Sequence, residues 1–119
     1  MIDDARRDAV RAYVENHRDQ FVAQLSDWLR IPSVWTDPER AGDVRRSAEW
    51  LADALRGIGF PTVEIWTAGG PDGAPCVFAE WPSGDPNAKT IVVYGHHDVQ
   101  PVDPVDKWSF APFEPAVVE

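Results

Sequence analysis

Apolar residues recur through the first thirty positions at spacings of three, four and seven: Val10, Tyr13, Val14, Phe21, Leu25, Trp28 and Leu29. That period lines one face of a helix. Asp3 and Asp4 favour its amino end, where the helix dipole is positive. Pro32 ends the pattern, because the residue before a proline avoids helical angles. Residues 33–42 read as a loop, with Asp37-Pro38 as a turn or short-helix starter. A second helix is predicted from about Asp43 to Arg56, with Asp43 as its N-cap. Val44, Ala48, Leu51 and Leu55 form its stripe, and Gly57 or Gly59 ends it.

The period then changes. Val63 and Ile65 alternate with Thr62, Glu64 and Trp66, as in a half-buried strand. A turn cluster from Gly69 to Gly73 separates it from a second strand over Cys76, Val77, Phe78 and Ala79, and the pair predicts a hairpin with a loose loop. Thr90-Ile-Val-Val-Tyr94 is apolar without alternation, which predicts a third strand covered on both faces. Beyond Pro101 the chain is proline-rich and irregular, and Ala116-Val-Val-Glu119 reads as the start of another strand. Two helices followed by three strands predict an α/β fold, the amino-terminal part of a mixed sheet with uncovered edges. The stretch 1–119 is expected to be one partial domain, cut short after Glu119.

Composition narrows the partners. A net charge of −9 argues against a nucleic-acid binder, which needs a basic face. No run approaches the roughly 18 apolar residues of a membrane span, and Met1-Ile-Asp-Asp-Ala-Arg-Arg7 lacks the order of a secretory signal. The lone Cys76 excludes an internal disulfide, suits a reducing cytoplasm, and is expected to be a small buried hydrophobe. The six tryptophans share no period and read as core or rim residues.

The candidate chemistry sits just past Tyr94. In an open α/β sheet, ligands gather beyond the carboxyl ends of strands, where His96, His97 and Asp98 lie. On extended backbone residues i and i+2 share a side, so His96 and Asp98 are predicted to point together and His97 away. An imidazole that binds zinc through one nitrogen needs an acceptor for its other N–H. Asp98 can be that acceptor or can act on a metal-bound water. By spacing alone His-x-Asp is weak evidence, since a histidine near a strand end more often has a structural role. His17, between Glu15 and Asp19, reads as a solvated helical residue.

The run Val93-Tyr-Gly-His-His-Asp-Val-Gln-Pro-Val-Asp-Pro104, followed by Trp108 and Ala111-Pro-Phe-Glu-Pro115, resembles the first metal-binding motif of the di-zinc metallopeptidases. That family holds carnosine-type dipeptidases, glutamate carboxypeptidase, aminoacylase and succinyl-diaminopimelate desuccinylase. Its motif is an apolar strand, Gly-His-x-Asp-Val-x-Pro, a Trp and a Pro-Phe. Phe21 to Ser33, ending in Ile-Pro-Ser, and the helix from Ala48 to Phe60 are similar to the family's opening elements. Gln100 and Asp103-Pro104 lean towards the dipeptidase branch.

The resemblance implies an αβα zinc-peptidase catalytic domain and hydrolysis of an amide or peptide bond in small substrates, dipeptides first. It implies two zinc ions in the intact enzyme, with manganese or cobalt as alternatives. His96 would be a metal ligand, Asp98 the catalytic acid that orients it, and His97 a packing residue at the motif's variable position. Trp108 and Phe113 would shape the rim of the substrate cleft or anchor their loop. The remaining ligands, the general base and a lid domain that pairs subunits lie downstream in the family, so this stretch alone is expected to be inactive. Glu49, Glu64 and Glu80 fit no motif and read as surface charge. Two alternatives stand beside the dipeptidase: an N-acyl-amino-acid deacylase, and a non-catalytic module that keeps the sheet for binding partners.

Overall fold

A computed structural model describes residues 3–70 and 72–118. Its order is helix α1 (Asp4–Asn16), helix α2 (Arg18–Leu29), a short 3-10 turn (Pro38–Arg40), helix α3 (Ala41–Gly57), strands β1 (Thr62–Ala68) and β2 (Ala74–Glu80), and a second 3-10 turn (Val105–Lys107). The α/β expectation holds, and the helices fall where the apolar period placed them. Parts of three predicted features, at Met1-Ile2, Pro71 and Glu119, lie outside the described residues.

The single amino-terminal helix of the prediction is two. Asp3 caps α1 by accepting the Arg6 N–H at 2.8 Å. The break falls at His17, whose ring Nδ1 lies 2.8 Å from the Tyr13 carbonyl that its own backbone N–H also reaches, at 3.1 Å. A side chain that takes up a helical carbonyl competes with the helix ladder. The stripe on these helices is not buried: Val10, Tyr13, Val14, Phe21, Leu25 and Leu29 are all exposed, because no described element lies across them.

The tight packing is at α3, which lies against both strands. Val44, Ala48 and Ala52 are buried on its inner face, and the two alanines let the helix backbone approach the sheet closely. Asp43 is not the N-cap. The 3-10 turn, capped by Asp37 accepting the Glu39 N–H at 3.0 Å, feeds directly into α3 at Ala41. Asp43 lies in the first turn instead, clamped by Arg40 at 3.1 Å and Arg46 at 3.0 Å.

β1 and β2 form the expected antiparallel hairpin, with Val63 opposite Ala79 and Ile65 opposite Val77. The other face carries Trp66 opposite Cys76, and Trp66 stacks on Phe78 with ring centroids 4.6 Å apart. Cys76 is therefore exposed rather than buried, since strand alternation turns it away from α3.

Thr90–Tyr94, predicted as the third strand, lies outside the sheet. Ile91, Val92, Val93 and Tyr94 are 85%, 84%, 92% and 82% exposed. A strand apolar on both sides needs neighbours on both faces, and the hairpin does not come alongside it. Residues 116–118 likewise take no strand pairing.

Candidate functional site

The segment after Tyr94 is held by the turn that follows α2. Val99 forms a parallel bridge with Val34: its N–H donates to the Ser33 carbonyl at 3.0 Å, and its carbonyl accepts from Trp35 N–H at 3.4 Å. Pro32 ends α2 and turns the chain so that these backbone groups face the motif. Ser33 and Val34 are buried in consequence, at 3% and 8% exposure.

Along the motif Tyr94, His96 and Asp98 meet on one side, with the backbone bending at His97 and Asp98. His96 Nδ1 lies 3.2 Å from Asp98 Oδ1, and His96 Nε2 lies 3.0 Å from the Tyr94 hydroxyl. A carboxylate oxygen only accepts, so the proton between His96 and Asp98 sits on Nδ1. In the neutral ring Nε2 then carries the lone pair and accepts from Tyr94. The His96 side chain is 69% exposed and that of Asp98 30%.

His97 points the other way and donates through Nε2 to the Pro75 carbonyl at 3.0 Å. It is more than a packing residue, because that bond ties the motif to the start of β2. Its Nδ1 is buried and finds no hydrogen-bond partner among the described residues.

Two hydroxyls converge on the His97 carbonyl: Ser47 Oγ at 2.6 Å and Ser33 Oγ at 3.1 Å. Ser47 in turn accepts from Trp28 Nε1 at 2.9 Å. These residues escaped the sequence-based assignment, although a signal existed. Ser47 falls between Val44 and Ala48 on the apolar stripe of α3, and a polar group in such a place needs a partner.

A cleft of about 740 Å³ opens beside the motif, lined by Trp28 and Leu29 of α2, by His96 and Asp98, and by Trp108 and Phe113. Trp108 anchors its loop by donating to the Val102 carbonyl at 2.8 Å while remaining 53% exposed. Phe113 sits at φ 65°, in the left-handed region that a non-glycine residue rarely adopts. The lining is mainly aliphatic and aromatic, and its polar side chains include His96, Asp98, Gln100 and Glu114. Among the described residues no three His, Cys, Asp or Glu side chains gather closely enough to hold a metal ion. His17 stays apart, stacked on Tyr13 with ring centroids 4.1 Å apart. No described helix is long and apolar enough to cross a membrane.

No family model matches the sequence. Individual relatives do. The chain is 31% identical over 109 residues to the Cys-Gly metallodipeptidase DUG1 of Candida albicans, covering 84% of this chain and 22% of that one. It is 33% identical over 110 residues to the Beta-Ala-His dipeptidase of Rattus norvegicus, covering 85% and 22%. The solved structure of the di-peptidase Dug1p from Saccharomyces cerevisiae superposes with a TM-score of 0.72 at 29% identity, over 85% of this chain and 22% of that one. Fold and sequence agree that the chain is homologous to part of these dipeptidases, and it spans about 22% of the length of the relatives it matches.

Proposed function

We propose that this chain forms one corner of the active site of a zinc-dependent hydrolase that cleaves the amide or peptide bond of small substrates, dipeptides foremost. The contact between His96 Nδ1 and Asp98 Oδ1 at 3.2 Å carries the reading. A carboxylate on one ring nitrogen is how proteins orient a histidine whose other nitrogen binds metal, and it raises the basicity of that nitrogen. In this assignment His96 would hold the metal through Nε2, the atom now facing the Tyr94 hydroxyl, and Asp98 would align the ring.

The donor set present fits a metal only in part. A zinc site needs about three or four protein ligands, and the described residues bring one histidine and its carboxylate together. Bound zinc supplies polarisation of the scissile carbonyl and a water activated near neutral pH. The residues on this chain orient the ligand, wall the apolar cleft and present Trp108 and Phe113 at its rim. The 119-residue chain by itself therefore binds zinc weakly and hydrolyses nothing. The relatives, a Cys-Gly metallodipeptidase and a Beta-Ala-His dipeptidase, support dipeptides as the substrate class. A reducing cytoplasm suits the lone thiol at Cys76.

The test has two arms. Zinc, manganese and cobalt are titrated into the chain and into its His96→Ala variant, and unchanged affinity on losing His96 sinks the ligand assignment. Cys-Gly, β-Ala-His and N-acetyl amino acids are then offered to the chain and to a longer protein that carries it. Dipeptide turnover by the longer protein alone is the expected result. Preference for the N-acetyl amino acids would make it a deacylase, and turnover by the purified chain would overturn its inactivity.

A further inference from the structure

The two hydroxyls on the His97 carbonyl lie in a particular place. The peptide unit they hold joins His97 to Asp98, so it sets the backbone between the two side chains of the His96–Asp98 pair. Ser47 comes from α3 and is 0% exposed, while Ser33 comes from the turn after α2 and is 3% exposed. Together they use both lone pairs of one oxygen, at 2.6 Å and 3.1 Å. The Trp28 N–H on the Ser47 oxygen, at 2.9 Å, leaves the hydroxyl proton free to point at His97. A fourth restraint enters from the hairpin, where His97 Nε2 meets the Pro75 carbonyl at 3.0 Å.

We propose that Ser47, oriented by Trp28 and seconded by Ser33, is a positioning residue: by pinning the His97 carbonyl it keeps the Asp98 carboxylate on His96 Nδ1 and so holds the Nε2 lone pair in place for a metal. This rests on the assignment of His96 as a ligand. Ser47 touches neither side chain of the pair and acts only through the backbone. His96 itself is exposed, and its ring is held by two side chains, the Tyr94 hydroxyl at Nε2 and the Asp98 carboxylate at Nδ1, of which Asp98 sets the proton on Nδ1. When the carboxylate is free to swing away, a neutral imidazole in water reverts towards the form protonated at Nε2, which cannot bind a metal through that nitrogen.

The experiment reads the tautomer of His96 directly, from long-range proton–nitrogen correlations of the imidazoles in the whole chain at a pH where the rings are neutral. Ser47→Ala, Ser33→Ala and Ala48→Gly are compared with the parent, each checked for folding by circular dichroism. Ala48 is as fully buried on α3 as Ser47 and touches the same packing without a hydroxyl, so its variant reports plain loss of helix stability. The expected result is a parent dominated by the Nδ1–H form and a Ser47→Ala chain shifted towards Nε2–H. Its zinc affinity falls by about 10-fold, the low end for groups that orient metal ligands. Ala48→Gly changes neither readout.

An unchanged tautomer in folded Ser47→Ala overturns the proposal, as does an equal shift in Ala48→Gly. If Ser47→Ala does not fold, Ser33→Ala decides, because it removes a donor to the same oxygen from a turn instead of a helix. No tautomer shift there overturns the proposal too. Should zinc leave the parent's His96 signals unmoved, the ligand assignment fails, while a tautomer shift in Ser47→Ala still upholds the positioning of the pair.

Discussion

The Ser47 hydroxyl, fully buried on α3, donates to the carbonyl oxygen of His97 across 2.6 Å and fifty residues of sequence. That bond joins the best-packed part of the molecule to the segment that carries its chemistry. The hairpin and α3 make a stable platform, and the motif is fastened to it by side-chain donors from Ser47 and Ser33 and by the ring of His97.

Replacing Trp28 with Phe tests how firmly that fastening is set. Trp28 stacks on Trp50 with ring centroids 5.2 Å apart and planes at 9°, and Phe keeps most of that contact. What it loses is the N–H on Ser47. The expected cost is about 1 kcal/mol, typical of one hydrogen bond, seen as a lower thermal midpoint by circular dichroism. An unchanged midpoint would mean that the indole contributes packing alone.

Asp98→Asn keeps the shape of the pair and changes its hydrogen-bond sense. The amide can present a donor to Nδ1, which then becomes the acceptor, and the proton moves to Nε2. Zinc affinity is expected to fall by about 10- to 100-fold, as for other carboxylates that orient metal-bound histidines. Isothermal titration of parent and variant gives the ratio, and a ratio near one removes Asp98 from the site.

Two glycines are expected to respond in opposite directions to alanine. At Gly73 a Cβ would collide with the backbone carbonyl of Ala68 across the hairpin loop, so Gly73→Ala must distort the turn and lower the melting temperature. At Gly42, in the first turn of α3, a Cβ meets nothing within 4 Å. There alanine is expected to stabilise by about 0.5–1 kcal/mol through helix propensity. Thermal melts of the two variants side by side check both signs.

The exposed run Ile91-Val-Val-Tyr94 predicts self-association of the chain at raised concentration, since an uncovered apolar segment of high strand propensity seeks a pairing partner. Val92→Lys places a charge in the middle of it and is expected to keep the chain monomeric. Light scattering across a concentration series distinguishes the two. Association that persists in Val92→Lys would point instead to the uncovered stripe of α1 and α2.

Much of the fold was legible because it depends on local period. The stripe of Val44, Ala48 and Leu51 announced α3, and the alternation around Val63 and Ile65 announced β1. Local reasoning misled where a neighbour decides the outcome. Asp43 looks like a cap, but Pro38 starts the turn earlier. Cys76 looks buried, yet its register opposite Trp66 puts it on the open face. Thr90–Tyr94 has the composition of a central strand, yet among the described residues no strand lies beside it. His17 looked like an ordinary helical residue, and its ring at the Tyr13 carbonyl marks the break between α1 and α2.

The candidate site divides in the same way. From the sequence by itself, the two-residue spacing set His96 with Asp98 and turned His97 aside, while the bend at His97 and Asp98 came only with the fold. Nothing local could reveal that Ser33, Ser47 and the carbonyl of His97 meet, or that Trp28 stands behind them. Those contacts join residues 19, 50 and 64 positions apart, and only the packing of α3 against the hairpin and the turn after α2 brings them within reach. The sequence determined which groups could do the chemistry. The tertiary structure decided what holds them still, because a hydrogen bond needs its donor and acceptor within about 3 Å whatever their distance along the chain.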